Sequence, residues 1–266
     1  MCRNYFNSDR RIHMMWLRKG IMLAVAVFMG FAPQAAHAGM PAADRVALEA
    51  GVRAEVMKDL AAPYHPTEGL LERSCLDGRP VRDFQGDLVE YWVNLECPYC
   101  GIQEPVQAQR NNPGMCIVVR HMPTGEYSES LKKALSYEAL KKFSINAANL
   151  FWDKVLPKNT LGIPVPYEGS LLWASQEAAI SPDAFADALT NGAAIIVNQD
   201  IALGQGRIVS TPTYVLEGIR FSACDFIATE LPAALNLAKK ARQGEEEAIE
   251  RVIKMITDGL LNEKTS

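Results

Sequence analysis

Two cysteines three positions apart, at the junction of an apolar run and a polar, helix-compatible stretch, constrain this chain more than any other feature. The segment Leu88–Arg110 reads LVEYWVNLECPYCGIQEPVQAQR. Leu88 to Leu95 has the length and aromatic, branched composition of a buried strand, and it leads straight into Cys97-Pro98-Tyr99-Cys100. A helix opening at Cys97 would aim unpaired N–H groups and the positive end of its dipole at the Cys97 sulfur. That placement lowers the thiol below the ~8.5 of a free cysteine. Pro98 suits a first helical turn, where its missing N–H has no intrahelical partner. Cys100, one turn on, is within disulfide reach of Cys97 and can resolve a mixed disulfide formed there. Half of a zinc site is the rival reading of the same spacing.

Far downstream stands Ser210-Thr211-Pro212-Thr213-Tyr214-Val215-Leu216-Glu217-Gly218, a proline opening an apolar strand that turns at a glycine. Taken together, the two segments resemble the thioredoxin superfamily, in which a cis-proline loop lies against the C-x-x-C. The resemblance implies that Pro212 is the cis-proline and that Thr211 faces the cysteine pair. Thr211 would then offer backbone groups to an extended substrate. It also matches Pro105 to the proline that bends the helix after the cysteines, and it gives Pro98 and Tyr99 the role of tuning the redox pair. Glu90 invites comparison with the buried acid that accepts a proton from the inner cysteine. One extra residue separates Glu90 from Cys97, and strand alternation then turns its side chain to the other face unless a bulge absorbs the shift.

Between the strand Met115–Met122 and the Pro212 loop lie roughly eighty residues that read as helix and loop, far more than a plain thioredoxin has. This resembles the DsbA-like branch, an α/β thioredoxin fold with an inserted helical domain. The implied division is a leader at 1–38, an N-terminal helix and short extended segment at 39–85, and the thioredoxin fold at 86–122 and 204–243. The helical insertion takes 123–203 and an extra helix 244–266. Within that frame Ser181 and Pro182 start a helix, and Pro212–Leu216 and Ile219–Ala223 make a hairpin turning at Glu217-Gly218. Phe226–Arg242 and Glu245–Leu261 are closing helices. The stretch 39–85 either packs on the core or serves as a homodimer arm; the residues leave both open.

Arg18-Lys19, the apolar run Gly20–Phe31 and Ala36-His37-Ala38 have the order of a secretory signal cleaved before Gly39. About a dozen apolar residues are too few to span a bilayer. The long stretch before Met14 makes Met14 or Met15 a rival start. The chain has 27 Lys+Arg and 31 Asp+Glu, and removing 1–38 takes five basic residues and one acid, leaving a net charge of −8. Such acidity argues against a nucleic-acid partner, and an oxidising periplasm would let the C-x-x-C cycle as a disulfide. No cofactor and no metal are called for.

The reading that follows is an exported thiol–disulfide oxidoreductase. Its partners would be proteins bearing thiols or disulfides, and a redox partner in the periplasm or membrane. Oxidase is favoured over isomerase or reductase by the long insertion, although Cys-Pro-Tyr-Cys with threonine before the proline also resembles DsbC and DsbG. A thioredoxin-fold metal chaperone holding zinc or copper through Cys97 and Cys100 is the alternative from another class, and a structural partner in an export assembly is a third. Cys75, Cys116 and Cys224 suggest one structural disulfide with Cys75 as a partner and Cys116 as a small core residue. Glu96 reads as a solvated charge opposing the Cys97 thiolate, His65 as a loop residue, and His121 as a packed strand-end histidine.

Overall fold

The computed structural model describes residues 41–265 except 66, 68, 98, 124–128, 156–166 and 223–229. Residues 1–38, Pro98 and Cys224 therefore lie outside the described residues. The strands are β1 (Asp87–Val93), β2 (Met115–His121), β3 (Thr213–Leu216) and β4 (Ile219–Ser222). They form one sheet in the order β2-β1-β3-β4. β1 runs parallel to β2, with Val89 opposite Ile117, and antiparallel to β3, with Tyr91 opposite Tyr214. β3 and β4 are antiparallel.

Because β1 and β2 are covered on both sides, they read as continuous apolar runs. One face carries Val89, Tyr91, Val93, Ile117, Val119 and Tyr214, and the main core packs on it. The other face carries Leu88, Glu90 and Trp92, with Cys116 and Val118 beside them.

Helices join and cover these strands. α1 (Ala42–Ala61) precedes the sheet and α2 (Gln103–Asn111) links β1 to β2. From β2 the chain enters the insertion: α3 (Glu129–Phe143), α4 (Ile145–Val155), α5 (Tyr167–Glu177), α6 (Pro182–Ala188) and α7 (Ala194–Gly204). A five-residue π turn, Leu189–Ala193, joins the last two; nothing in the local sequence pattern announces it. Ser181 caps α6 as read from the sequence, its Oγ accepting from the Ala184 N–H at 3.2 Å. After the hairpin, α8 (Leu231–Arg242) and α9 (Glu246–Thr265) close the chain. The four-stranded order and the helical block between β2 and β3 are a thioredoxin fold with an inserted helical domain.

Both sheet edges are covered. On the β2 side, the Leu76 N–H donates to the Ile117 carbonyl at 2.9 Å, the Ile117 N–H donates to Gln109 Oε1 at 2.7 Å, and Arg79 donates to the Met115 carbonyl at 3.0 Å. Cys75 and Cys116, both fully buried, join the same N-terminal segment to β2 through a disulfide. Cys116 is therefore a crosslink, not the plain core residue expected from its apolar neighbours. Closing a 41-residue separation removes chain entropy from the unfolded state worth about 4 kcal/mol. On the β4 side, α1 lies alongside and its Asp59 carboxylate accepts from the Arg220 backbone N–H at 3.1 Å and from its Nε at 2.9 Å. α1 thus packs on the core of its own chain. Edges blocked in this way do not template pairing with another chain.

The hairpin turn needs left-handed backbone at both central positions, Glu217 (φ 51°) and Gly218 (φ 81°). A side chain at 218 would also meet Arg242 Nη2 at 2.5 Å. Arg242 secures the turn by donating from Nε to the Glu217 carbonyl at 3.0 Å.

Candidate active site

β1 ends at Val93 and the chain turns at once. The Cys97 N–H donates to the Asn94 carbonyl at 2.8 Å, and the Cys100 N–H donates to the Cys97 carbonyl at 3.0 Å. Regular helix begins only at Gln103, six residues after Cys97, so the helix expected to open at Cys97 does not. Pro105 supplies the reason: it has no N–H for the carbonyl four residues back, that of Gly101, and its ring would clash with that carbonyl in a continuous helix. At 105 the proline lies in the first turn of α2, where it is tolerated. The carbonyls left over are taken by side chains. Tyr91 Oη donates to the Gly101 carbonyl at 3.1 Å, and Trp152 Nε1, from α4 of the insertion, donates to the Cys100 carbonyl at 2.8 Å. Tyr91 itself stacks on Tyr214 with ring centroids 4.6 Å apart.

Cys97 and Cys100 are both free thiols, Cys97 half-buried and Cys100 fully buried. Across the sheet, the Cys97 Sγ lies 3.1 Å from the Thr211 carbonyl oxygen, and the Thr211–Pro212 peptide bond is cis. Thr213 ties the loop down, its Oγ1 donating to the Ser210 carbonyl at 2.8 Å. Cys97, Cys100, Thr211 and Pro212 are therefore brought together, with the Tyr99 backbone N–H beside the Cys97 sulfur.

The two thiols are pushed in opposite directions. A hydrogen bond from Cys100 is the strongest influence on Cys97; against the cost of burial, it and the backbone N–H groups of Tyr99 and Cys100 lower Cys97 to about 7. The helix dipole invoked from the sequence is not needed. Burial, and then the hydrogen bond given to Cys97, hold the Cys100 thiol well above its ordinary value. An outer sulfur ionised near neutrality and an inner one kept protonated are the division of labour that disulfide exchange uses. The ultraviolet absorbance of the reduced protein at about 240 nm, which reports thiolate, is expected to rise with a midpoint near 7. Cys100→Ala should move that midpoint up toward ~8.5. Because Cys97 is lowered by folding, its contribution to the stability of the reduced form is complete above ~8.5 and fades as pH falls through about 7.

Glu90 is not part of this arrangement. It projects from the face of β1 opposite Cys100, accepting from Arg120 Nε at 3.1 Å and Trp92 Nε1 at 3.2 Å. No bulge shifts the register of β1 against β2 or β3, so alternation decides its side. Tyr91, the next residue, occupies the cysteine side instead. Glu96 also departs from expectation: its carboxylate accepts from Lys133 Nζ of α3 and is not a free rim charge. His121 Nε2 pairs with Glu138 Oε1 at 2.9 Å, away from the cysteines. His65 lines a cleft of about 200 Å³ together with Tyr64, Glu90, Arg120, Arg207 and Arg242. That cleft opens on the Glu90 face. Among the described residues no group of three or more His, Cys, Asp or Glu side chains could hold a metal ion. No described helix is long and apolar enough to cross a membrane.

The sheet order, the helical block between β2 and β3 and the cysteine turn facing a cis-proline loop define the class: a thioredoxin-fold protein of the DsbA-like architecture. No protein-family model and no curated protein sequence matches the chain. Among solved structures, it is similar to the thiol-disulfide exchange protein alpha-DsbA2 of Wolbachia pipientis, with 14% identity and a TM-score of 0.47 over 73% of this chain and 98% of that one. The catalytic domain of Proteus mirabilis ScsC gives 14% identity and 0.47 over 70% and 97%. A thioredoxin-like oxidoreductase of Silicibacter pomeroyi DSS-3 gives 20% and 0.46 over 58% and 88%.

Proposed function

We propose that this protein is a thiol–disulfide oxidoreductase that introduces disulfides into other proteins. The observation that carries the reading is the half-buried Cys97 sulfur, lowered toward neutrality and set 3.1 Å from the Thr211 carbonyl beside the cis Pro212. In the oxidised enzyme a substrate thiolate attacks the Cys97 sulfur. The Cys97–Cys100 bond breaks, Cys100 leaves and takes up a proton, and a mixed disulfide forms. A second substrate thiolate then attacks the substrate sulfur of that bond and expels the Cys97 thiolate. The substrate has lost two electrons and two protons to gain one disulfide, and the enzyme holds the electrons as a dithiol. A separate redox partner must take them up again.

Thr211 offers backbone groups to an extended substrate, while Pro98 and Tyr99 tune the pair. Stabilising the Cys97 thiolate stabilises the reduced enzyme, which makes the oxidised form the better oxidant. This favours disulfide formation over reduction. Residues 1–38 direct export to the periplasm, and the insertion 123–203 is a domain resting on the thioredoxin unit. The test is refolding of reduced and of scrambled ribonuclease by the purified protein. Stoichiometric oxidised protein is expected to return activity to the reduced substrate and to do little for the scrambled one. Preferential rescue of the scrambled substrate would make it an isomerase, and rescue of neither would remove the reading.

A further inference from the structure

Lys133 is a residue out of place by ordinary rules. It belongs to the helical insertion, its side chain is only 5% exposed, and a buried ammonium is costly unless it is paired. It reaches Glu96, whose carboxylate is 43% exposed, and its Nζ also lies 3.5 Å from the Val155 carbonyl. Glu96 precedes Cys97 directly. Asn94 fixes both residues in the turn, its Oδ1 accepting from the Glu96 N–H at 2.9 Å and its carbonyl accepting from the Cys97 N–H at 2.8 Å. A bare carboxylate at that position would oppose formation of a Cys97 thiolate.

We propose that Lys133 is a positioning residue for the cysteine pair: it holds and neutralises Glu96, so that the helical insertion adds to the electrostatics of Cys97 beside the hydrogen bonds that Cys97 already receives. This rests on Cys97 being the attacking sulfur. Among the described residues several titratable groups act on the sulfur pair, Tyr214 of β3 among them. Cys100 is the direct partner of Cys97, Tyr91 of β1 is close enough to feel both sulfurs, and Glu104 of α2 acts on Tyr91 in turn. Among the described residues Lys133 is a cation that the insertion brings to this turn. Together with Trp152, which holds the Cys100 carbonyl, it grips the turn at both ends. The insertion is then part of the redox site.

The experiment is a thiolate titration of the full-length reduced protein at low ionic strength, followed at about 240 nm, which needs no substrate. Lys133→Met exposes the Glu96 charge and should raise the Cys97 midpoint by roughly half a unit to one unit. Glu96→Gln leaves the ammonium unpaired and should lower it by a similar amount. The double variant should return within about 0.2 unit of wild type, because removing both charges cancels. A change of packing alone would not produce shifts of opposite sign that cancel. If Lys133→Met does not fold, Glu96→Gln at a half-exposed site carries the test by itself. Unchanged midpoints in the folded single variants would overturn the proposal, whether or not the protein exchanges disulfides. A wild-type protein inactive toward thiols would overturn the oxidoreductase reading and leave this titration standing.

Discussion

Replacing Cys97 by serine is expected to bring disulfide transfer down to the uncatalysed background, a loss on the order of 10³-fold or more, because a serine hydroxyl neither ionises near neutrality nor forms a mixed disulfide. Cys97 is half-buried and packs against the core only in part, so the fold should survive and circular dichroism should match wild type. Cys100→Ala should fail differently. With the buried resolving thiol gone, a substrate disulfide attacked by Cys97 cannot be released by the enzyme, and mixed disulfides should accumulate on non-reducing gels. The pair of variants separates redox roles from structural ones: one loses the covalent intermediate and the other traps it. Full activity in Cys97→Ser would mean that another group does the chemistry.

The second large effect lies away from the cysteines. Asp200 of α7 is fully buried. It is bound by Arg73 Nη2, by Arg120 Nη1 at 3.0 Å and by the His121 N–H at 2.9 Å. Arg120 continues to Glu90 at 3.1 Å, and Arg73 reaches Glu138 at 3.3 Å. Glu138 meets Lys141 as well. Despite its burial, Lys141, Arg73 and His121 hold the Glu138 carboxyl well below the usual carboxylate range. Three cations and three anions thus balance inside the protein, tying the N-terminal segment, β1, β2 and two helices of the insertion. Asp200→Ala takes the shared carboxylate from two buried guanidinium groups, leaving three cations against two anions, and should cost about 3–5 kcal/mol, a large part of the ~5–15 kcal/mol that holds a domain together. Urea unfolding should show the midpoint falling with little change in slope. A loss below about 1 kcal/mol would show that water reaches the cluster and screens it.

What the sequence made legible was whatever is written in local pattern. The apolar run before Cys97, the cysteine spacing, the Pro212 strand and the Glu217-Gly218 turn each have a short-range signature. The fold class and the insertion followed from the resemblance those signatures carry, whereas the strand order is seen only in the structure. The start of α2 was misread because Pro98 looks like a first-turn residue, whereas Pro105 sets the boundary by leaving the Gly101 carbonyl without a donor. Glu90 was readable in principle: period-two alternation already pointed it away from the cysteines. Lys133 and Arg73 carried no signal at all. Their partners are 37 and 127 residues away in sequence, and a lysine on a mixed helix looks solvated until the fold buries it. The same distance blindness left Cys116 looking like filling for the core.

The most direct measurement is a redox titration of the full-length protein in glutathione buffers, acid-quenched and alkylated, with each cysteine state read by mass. Cys97 and Cys100 are expected to change together in one reversible two-electron step. The step should fall within the ~−270 to −120 mV range that thioredoxin-fold pairs span. The buried Cys75–Cys116 disulfide should stay oxidised throughout. Independent modification of Cys97 and Cys100, or a pair that remains reduced in fully oxidised buffer, would contradict the assignment of a redox site.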